Sequence, residues 1–220
     1  MLTSKFDLET KETWWYPEGW TKQYHLPPTG KQKTFLEEHI TNWSVMVDGG
    51  AFIGGWTKYW ALKFGRLYAI ELAPDTAEAL ERNTKEFGNV VVVNAALSDE
   101  SGGYVGFEGD KDPNSPIRCV SPHLADRHDR PLVSTLTIDD MRLANCGFIK
   151  LDLQGYDLKA LIGARDTLKA YHPLILFEWD PSCYERYGHS REDANDFLSS
   201  LGYKQIGRFG KDLAYQHDMA

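Results

Sequence analysis

Cysteine is scarce in this sequence. Only Cys119, Cys146 and Cys183 occur in 220 residues, and no two of them form a C-x-x-C pair. That usage argues against a disulfide framework or a zinc site and suits a reducing compartment. No stretch approaches the roughly 18–20 apolar residues of a membrane span. The opening MLTSKFDLETKE holds no apolar signal core, so the expectation is a cytoplasmic protein without a membrane partner. Basic residues are outnumbered, 24 against 32 acidic, for a net charge of -8. This argues against a broad nucleic-acid surface, although it leaves room for a local basic cleft. Internal repeats and low-complexity tracts are missing too. What remains is an ordinary globular composition, 42% hydrophobic and 25% charged, in a length that suits one α/β domain with a sizeable core.

The first 30 residues stand apart. Trp14, Trp15, Tyr16, Trp20 and Tyr24 crowd together, broken by Pro17 and Gly19, before a turn at Pro27, Pro28 and Gly30. Two readings are open for residues 1–30: a lid that stacks on a flat or sugar-like ligand, or a cover over a core. Residues 31–220 form the domain proper. A short amphipathic helix over Lys31–His39 leads into a βαβ rhythm. Strands are expected at Val45–Val47, Leu67–Ile70, Val90–Val93, Phe148–Leu153 and Leu174–Phe177. Helices are expected at Trp56–Phe64, Pro74–Phe87, Tyr156–Lys169 and Arg191–Leu201. The Val90–Val93 run reads as a strand buried on both faces. Tyr104–Phe107 and Val133–Ile138 are β-like, and 110–130, with three prolines, reads as a long loop. Tyr203–Arg208 and Asp212–His217 read as a terminal antiparallel pair. The fold class is α/β, an open and mostly parallel sheet with helices on both faces. Ligands of such sheets bind at the carboxyl ends of the strands.

Chemistry concentrates in Val47-Asp48-Gly49-Gly50-Ala51-Phe52-Ile53-Gly54-Gly55. Glycines here let the backbone turn sharply and approach a ligand, and the N–H groups opening the next helix can hold polar atoms. The order is specific: apolar strand, acid, glycine turn, helix, second strand, second acid. Glu71 ends the second strand, where a carboxylate can accept both hydroxyls of a ribose diol. Asp48 could answer an ammonium, directly or through water. A nicotinamide dinucleotide is the rival ligand, but its G-x-G-x-x-G fingerprint is absent. The plain alternative is a tight turn with two solvent-facing acids.

These stretches resemble the FkbM-type methyltransferase family, of the class I S-adenosylmethionine-dependent fold. The resemblance runs through Val47–Gly54, Ala69–Glu71, Asn94–Asp99, Thr135–Asp140, Ile149–Tyr156 and Pro173–Glu178, about residues 45 to 180. It implies a Rossmann-like class I methyltransferase fold with S-adenosylmethionine as cofactor. By resemblance the cofactor lies over Asp48, Gly50 and Gly54, Glu71 holds the ribose, and Asn94, Ala95 and Ala96 border the adenine. It also implies O-methylation of a small molecule or glycan. Methylation of RNA ribose is an alternative, as is a non-catalytic S-adenosylmethionine-binding protein. Two departures stand out: Phe52 where the family usually has Asn in the glycine turn, and Gln154 where it usually has Glu before a glycine.

Lys150 and Asp152 are two apart on strand four, so they point to one side of the sheet. Glu178 ends the adjacent strand and can converge on Asp152. Asp152 is the candidate base for an acceptor hydroxyl, with Glu178 in support and Lys150 as a further catalytic candidate. The alternative for Asp152 is a helix cap, and for Lys150 a counter-ion buried in the sheet. Cys183, near Asp180 and Tyr184, is a candidate lining residue of an acceptor pocket. His25, His123, His128, His172 and His189 show no metal spacing, and no metal is expected.

Overall fold

The computed structural model describes residues 1–7, 11–20, 27–109, 118–121 and 131–219. The chain opens with a hairpin, β1 (Leu2–Phe6) against β2 (Thr13–Pro17), followed by helix α1 (Gly30–His39). Then come β3 (Val45–Gly49), α2 (Gly55–Ala61), β4 (Arg66–Glu71), α3 (Pro74–Thr84) and β5 (Val90–Asn94). A lateral set follows: β6 (Ala96–Leu97), β7 (Tyr104–Gly109), β8 (Arg118–Ser121) and β9 (Leu132–Leu136). The chain returns through β10 (Cys146–Leu151), α4 (Asp157–Ile162), α5 (Arg165–Tyr171) and β11 (Leu174–Glu178). It closes with α6 (Pro181–Tyr184), α7 (Arg191–Ser200), β12 (Tyr203–Phe209) and β13 (Asp212–His217).

Seven strands form the main sheet in the order β12-β13-β11-β10-β3-β4-β5. The run from β11 to β5 is parallel, and β13 is antiparallel to both of its neighbours. This is the mostly parallel, doubly wound α/β sheet expected from the βαβ rhythm. Alternation along the strands divides the core. Val47, Ile149 and Ile175 face Leu158, Leu161, Leu168 and Leu198 on α4, α5 and α7. Met46, Phe148 and Leu176 face Leu36, Trp60 and Leu80 on α1, α2 and α3. Helices thus cover both faces, as a parallel sheet requires. A four-stranded sheet, β6-β9-β7-β8, lies beside this core.

Several elements differ from the sequence reading. Val90–Val93 is only half-buried, because β5 is the edge strand and, among the described residues, has no neighbour on its far side. The helix expected over Tyr156–Lys169 is two helices. At Gly163 a Cβ would lie 2.0 Å from the Ser98 carbonyl oxygen, so the chain must pass close to β6 there and the helix restarts at Arg165. The presumed loop 110–130 contains β8, paired with β7. The rest of that stretch, with His123 and His128, lies outside the described residues, as do Tyr24 and His25. Among the described residues no helix is long and apolar enough to cross a membrane.

Candidate functional site

Five parallel strands end side by side along one edge of the sheet. Their tips carry, in spatial order, Asn94, Glu71, Gly49 with Gly50, Asp152 and Glu178. Adjacent strands stand about 4.8 Å apart, so these residues form one row. The sheet topology makes that row from segments over 100 residues apart in sequence.

The glycine turn is held from below and from the side. Gly50 and Ala51 donate their N–H groups to the Ile70 carbonyl at 2.9 and 3.0 Å. Gly50 has φ +69, and a Cβ on it would sit 2.0 Å from the Asp152 carbonyl oxygen. Only glycine fits there. Gly54 has φ +101, but a Cβ on it would meet Leu80 and Thr84, so its small size serves the packing of α2 on α3. Phe52 also adopts a positive φ, +56, in the turn itself.

Asp48 lies beneath this turn and is fully buried. Its Oδ2 accepts the Thr57 hydroxyl at 2.7 Å, and the Lys150 ammonium stands 3.3 Å from its Oδ1. Lys150 pairs in register with Asp48, is buried too, and donates to the Gly50 carbonyl at 3.1 Å. Burial opposes its charge, but the carboxylates of Asp48 and Asp152 prevail and raise its pKa above that of an ordinary lysine. Asp48 and Lys150 therefore form an internal ion pair that anchors the turn. Such a pair is tolerable inside a sheet because each charge has further polar partners.

Glu71 sits at the rim, 7% exposed. Its Oε2 accepts the Phe52 N–H at 2.9 Å and its Oε1 the Ala73 N–H at 3.0 Å. Burial pushes its pKa up to about 7, against the opposing pull of these two bonds and of Lys150. Each oxygen keeps a lone pair for a further donor. Asn94 closes the neighbouring tip by donating its amide to the carbonyls of Glu71 and Leu72 at 2.8 and 2.9 Å. Ala95 and Ala96 are buried, and the Ala95 N–H reaches the Glu71 carbonyl at 3.2 Å.

The other end of the row is a carboxyl cluster. The Gln154 amide nitrogen donates to Asp152 Oδ1 at 2.7 Å and to Glu178 Oε2 at 2.9 Å, so a single amide joins the two carboxyl groups. Gln154 reaches this position with φ +55. Burial, then the nearby charges of Asp152 and Asp157, push Glu178 up to about 8. Asp152 stays accessible, with 43% of its side chain exposed. Cys183 lies next to the cluster, its Sγ 3.8 Å from Gln154 Oε1, while Asp180 caps α6 and is paired with Lys211.

Several contributors carry little signal in the sequence. Asp157 is fully buried and accepts the N–H groups of Leu153 and Gly155 at 3.1 Å each, fixing the turn that presents Asp152. Burial, then Asp152, pushes it up to about 7. An acid at the first position of a helix was the only clue to this role. Thr57 is an unremarkable residue in α2, and nothing local marks it as the partner of Asp48. His172 stacks on His217 at 3.7 Å at the C-terminal strand pair, away from this row.

The donor set fits an S-adenosylmethionine ligand. A carboxyl group with spare lone pairs stands beside a glycine turn, and the accessible Asp152 stands at the next strand tip. The family model for the methyltransferase FkbM domain matches residues 48–204. A solved methyltransferase FkbM from Methylobacillus flagellatus KT is 21% identical, with a TM-score of 0.53 over 79% of this chain and 43% of that one. The chain thus spans less than half the length of that relative. A SAM-dependent methyltransferase from Aquifex aeolicus is 13% identical, with a TM-score of 0.47 over 84% of this chain and 87% of that one. Magnesium protoporphyrin IX methyltransferase from Synechocystis PCC 6803, solved with bound SAM, is 12% identical, with a TM-score of 0.47 over 84% of this chain and 74% of that one. No curated protein sequence matches the chain.

Proposed function

Since the chain belongs to the FkbM methyltransferase domain family, we propose that it transfers a methyl group from S-adenosylmethionine to an oxygen of a small molecule or glycan. The observation that carries this reading is the row of strand tips, with Glu71 beside the glycine turn and the Asp152–Gln154–Glu178 cluster on the other side of it. In this reading Glu71 holds the ribose diol, Asn94, Ala95 and Ala96 border the adenine, and Gly50 and Gly54 shape the turn. Asp48 and Lys150 act from below by fixing that turn, since both are buried. When bound, the cofactor supplies an electrophilic methyl group on a positively charged sulfur.

The chain's own task is to place an acceptor hydroxyl and take its proton. Asp152 is the accessible carboxylate and serves as the base. Gln154 orients it through Oδ1, and Oδ2, 4.0 Å from the Lys150 ammonium, is the oxygen turned to the acceptor in this reading. Glu178 supports Asp152 by sharing the Gln154 amide that holds it in place. Positioning accounts for much of the rate in a direct displacement.

Calorimetric titration tests the cofactor assignment. S-adenosylmethionine and S-adenosylhomocysteine should bind and NAD should not; the opposite pattern would overturn the reading. Glu71→Ala should weaken S-adenosylhomocysteine by about 1.5–3 kcal/mol, the scale of a hydrogen bond to a charged group. An unchanged dissociation constant would show that Glu71 does not hold the ribose. Transfer of labelled methyl to a panel of hydroxylated small molecules and oligosaccharides tests the acceptor class.

A further inference from the structure

The hairpin β1–β2 packs against the glycine turn at three independent points. First, Asn83 of α3, buried, accepts the Trp15 N–H at 2.7 Å and donates to the carbonyls of Trp15 at 3.0 Å and Ile53 at 2.9 Å. One side chain thus ties strand β2 to the turn. Second, the Trp20 ring stacks on the Phe52 ring, with centroids 5.0 Å apart and planes 14° from parallel. Lys5 of β1 holds the Trp20 carbonyl at 2.5 Å, which keeps that ring over the turn. Third, Trp14 and Tyr16 pack in one buried cluster with Ile53 and Ala79. Phe52 and Ile53 are therefore gripped from outside the domain that carries the glycine motif.

Phe52 is the residue whose N–H meets the Glu71 carboxylate. It adopts φ +56, a left-handed region that disfavours a bulky side chain. Something must hold it there, and the Trp20 stack and the Asn83 bridge act on it and on its neighbour. We propose that the N-terminal hairpin is an intramolecular brace for the cofactor site, with Trp20 and Asn83 as positioning residues that aim the Phe52 N–H at Glu71. The inference rests on the reading of Glu71 as the ribose anchor. It assigns the aromatic segment to cofactor binding rather than to the acceptor.

The experiment measures S-adenosylhomocysteine affinity by calorimetry from about pH 5.5 to 8.5 on the full chain and on Trp20→Ala, with Trp20→Phe as the conservative variant. Trp20 is partly exposed, so its loss should spare the fold, and circular dichroism checks that. The groups facing Glu71 are Lys150 of β10 and Asp75 of α3, together with the N–H groups of Phe52 and Ala73. Trp20 removal leaves both charges in place, so a shift in pH dependence reports the Phe52 N–H itself. Trp20→Ala should weaken binding about three- to thirty-fold, a fraction of one charge-assisted hydrogen bond. The pH midpoint of binding should move upward as Glu71 loses a donor, and Trp20→Phe should restore most of both. Asn83→Ala should act in the same direction. If Trp20→Ala is folded and binds like the parent with an unmoved midpoint, the brace is wrong. Weaker binding with an unmoved midpoint also overturns it, since a purely structural loss gives that result. If the parent chain binds no S-adenosylhomocysteine at all, the cofactor assignment fails first and the brace with it.

Discussion

Asp152 and Gln154 show how much chemistry can depend on one turn. Asp152 stands just past β10, exposed, with Oδ1 held by the Gln154 amide. Asp152→Asn keeps an oxygen that can accept that bond but cannot take a proton. Methyl transfer should fall by about 10²–10⁴, the span of general-base loss, while S-adenosylhomocysteine affinity stays within a few-fold. Single-turnover rates beside calorimetry check this, and an unchanged rate would move the chemistry to Glu178 or to proximity alone. Lys150, two residues earlier, has the opposite character: buried, paired with Asp48, and turned to structural use. Alternation places both on one side of the strand, but the glycine turn covers only the first.

At the scale of the element, short pieces are stabilised by their ends. Helix α7 begins with a capping box. Ser190 Oγ accepts the Asp193 N–H at 3.2 Å, and Asp193 Oδ2 accepts the Ser190 N–H at 2.7 Å. The helix then presents Ala194 and Leu198, both buried, to the sheet. Ser190→Ala should cost about 1 kcal/mol, which lowers the melting temperature by roughly 2–4 °C for a chain of this size. Cofactor affinity should not change, because α7 lies on the face away from the glycine turn. A melting temperature equal to the parent's would show that the cap is idle. The split of α4 from α5 is the converse case. There the ends are set by Gly163, where the chain passes Ser98 too closely for any side chain.

Across the whole molecule, buried carboxyl groups at the sheet edge govern the pH response. Glu71 and Asp157 are pushed up to about 7 and Glu178 to about 8, in each case first by burial. Unfolded carboxyl groups lose their protons near pH 4. Between these limits the folded chain binds more protons than the unfolded one, so stability is greatest below about pH 4 as far as these groups decide it. It is lost as pH rises through about 7 to 8. The lowered carboxylates Glu37, Asp99, Asp140, Asp180 and Asp193 are ionised in both states over that window and leave the slope alone. His172 and His189, lowered first by burial, pull the other way around pH 6.5, but they are two groups with modest burial. The melting temperature of the cofactor-free protein should therefore fall from about pH 5.5 to pH 8.5. Each excess proton over one pH unit is worth about 1.4 kcal/mol, or roughly 3–6 °C. Calorimetric melting at several pH values checks this. A flat or rising profile would mean that these carboxyl groups ionise as freely in the folded chain as in the unfolded one. Glu178→Gln should flatten the upper part of the curve.

The sequence by itself determined the order of the main-sheet strands and of most helices between them, the glycine turn after Asp48 and the acids at Glu71 and Glu178. These are local facts: apolar runs, turn residues and the residue that ends a strand all lie within a few positions of each other. It also determined the family, because the matching stretches occur in fixed order along the chain. Tertiary structure decided which polar groups face solvent and which are spent inside. Asp48 reads as a ligand-facing acid, yet it is buried against Thr57 and against Lys150, 102 positions away. Val90–Val93 reads as a central strand, yet a strand's place in a sheet is set by neighbours that its own residues do not name. The aromatic N-terminus reads as either a lid or a cover, and the Asn83 bridge to Trp15, 68 positions away, decided where it sits. Such contacts depend on distant segments meeting at one place, and local pattern carries no record of that meeting.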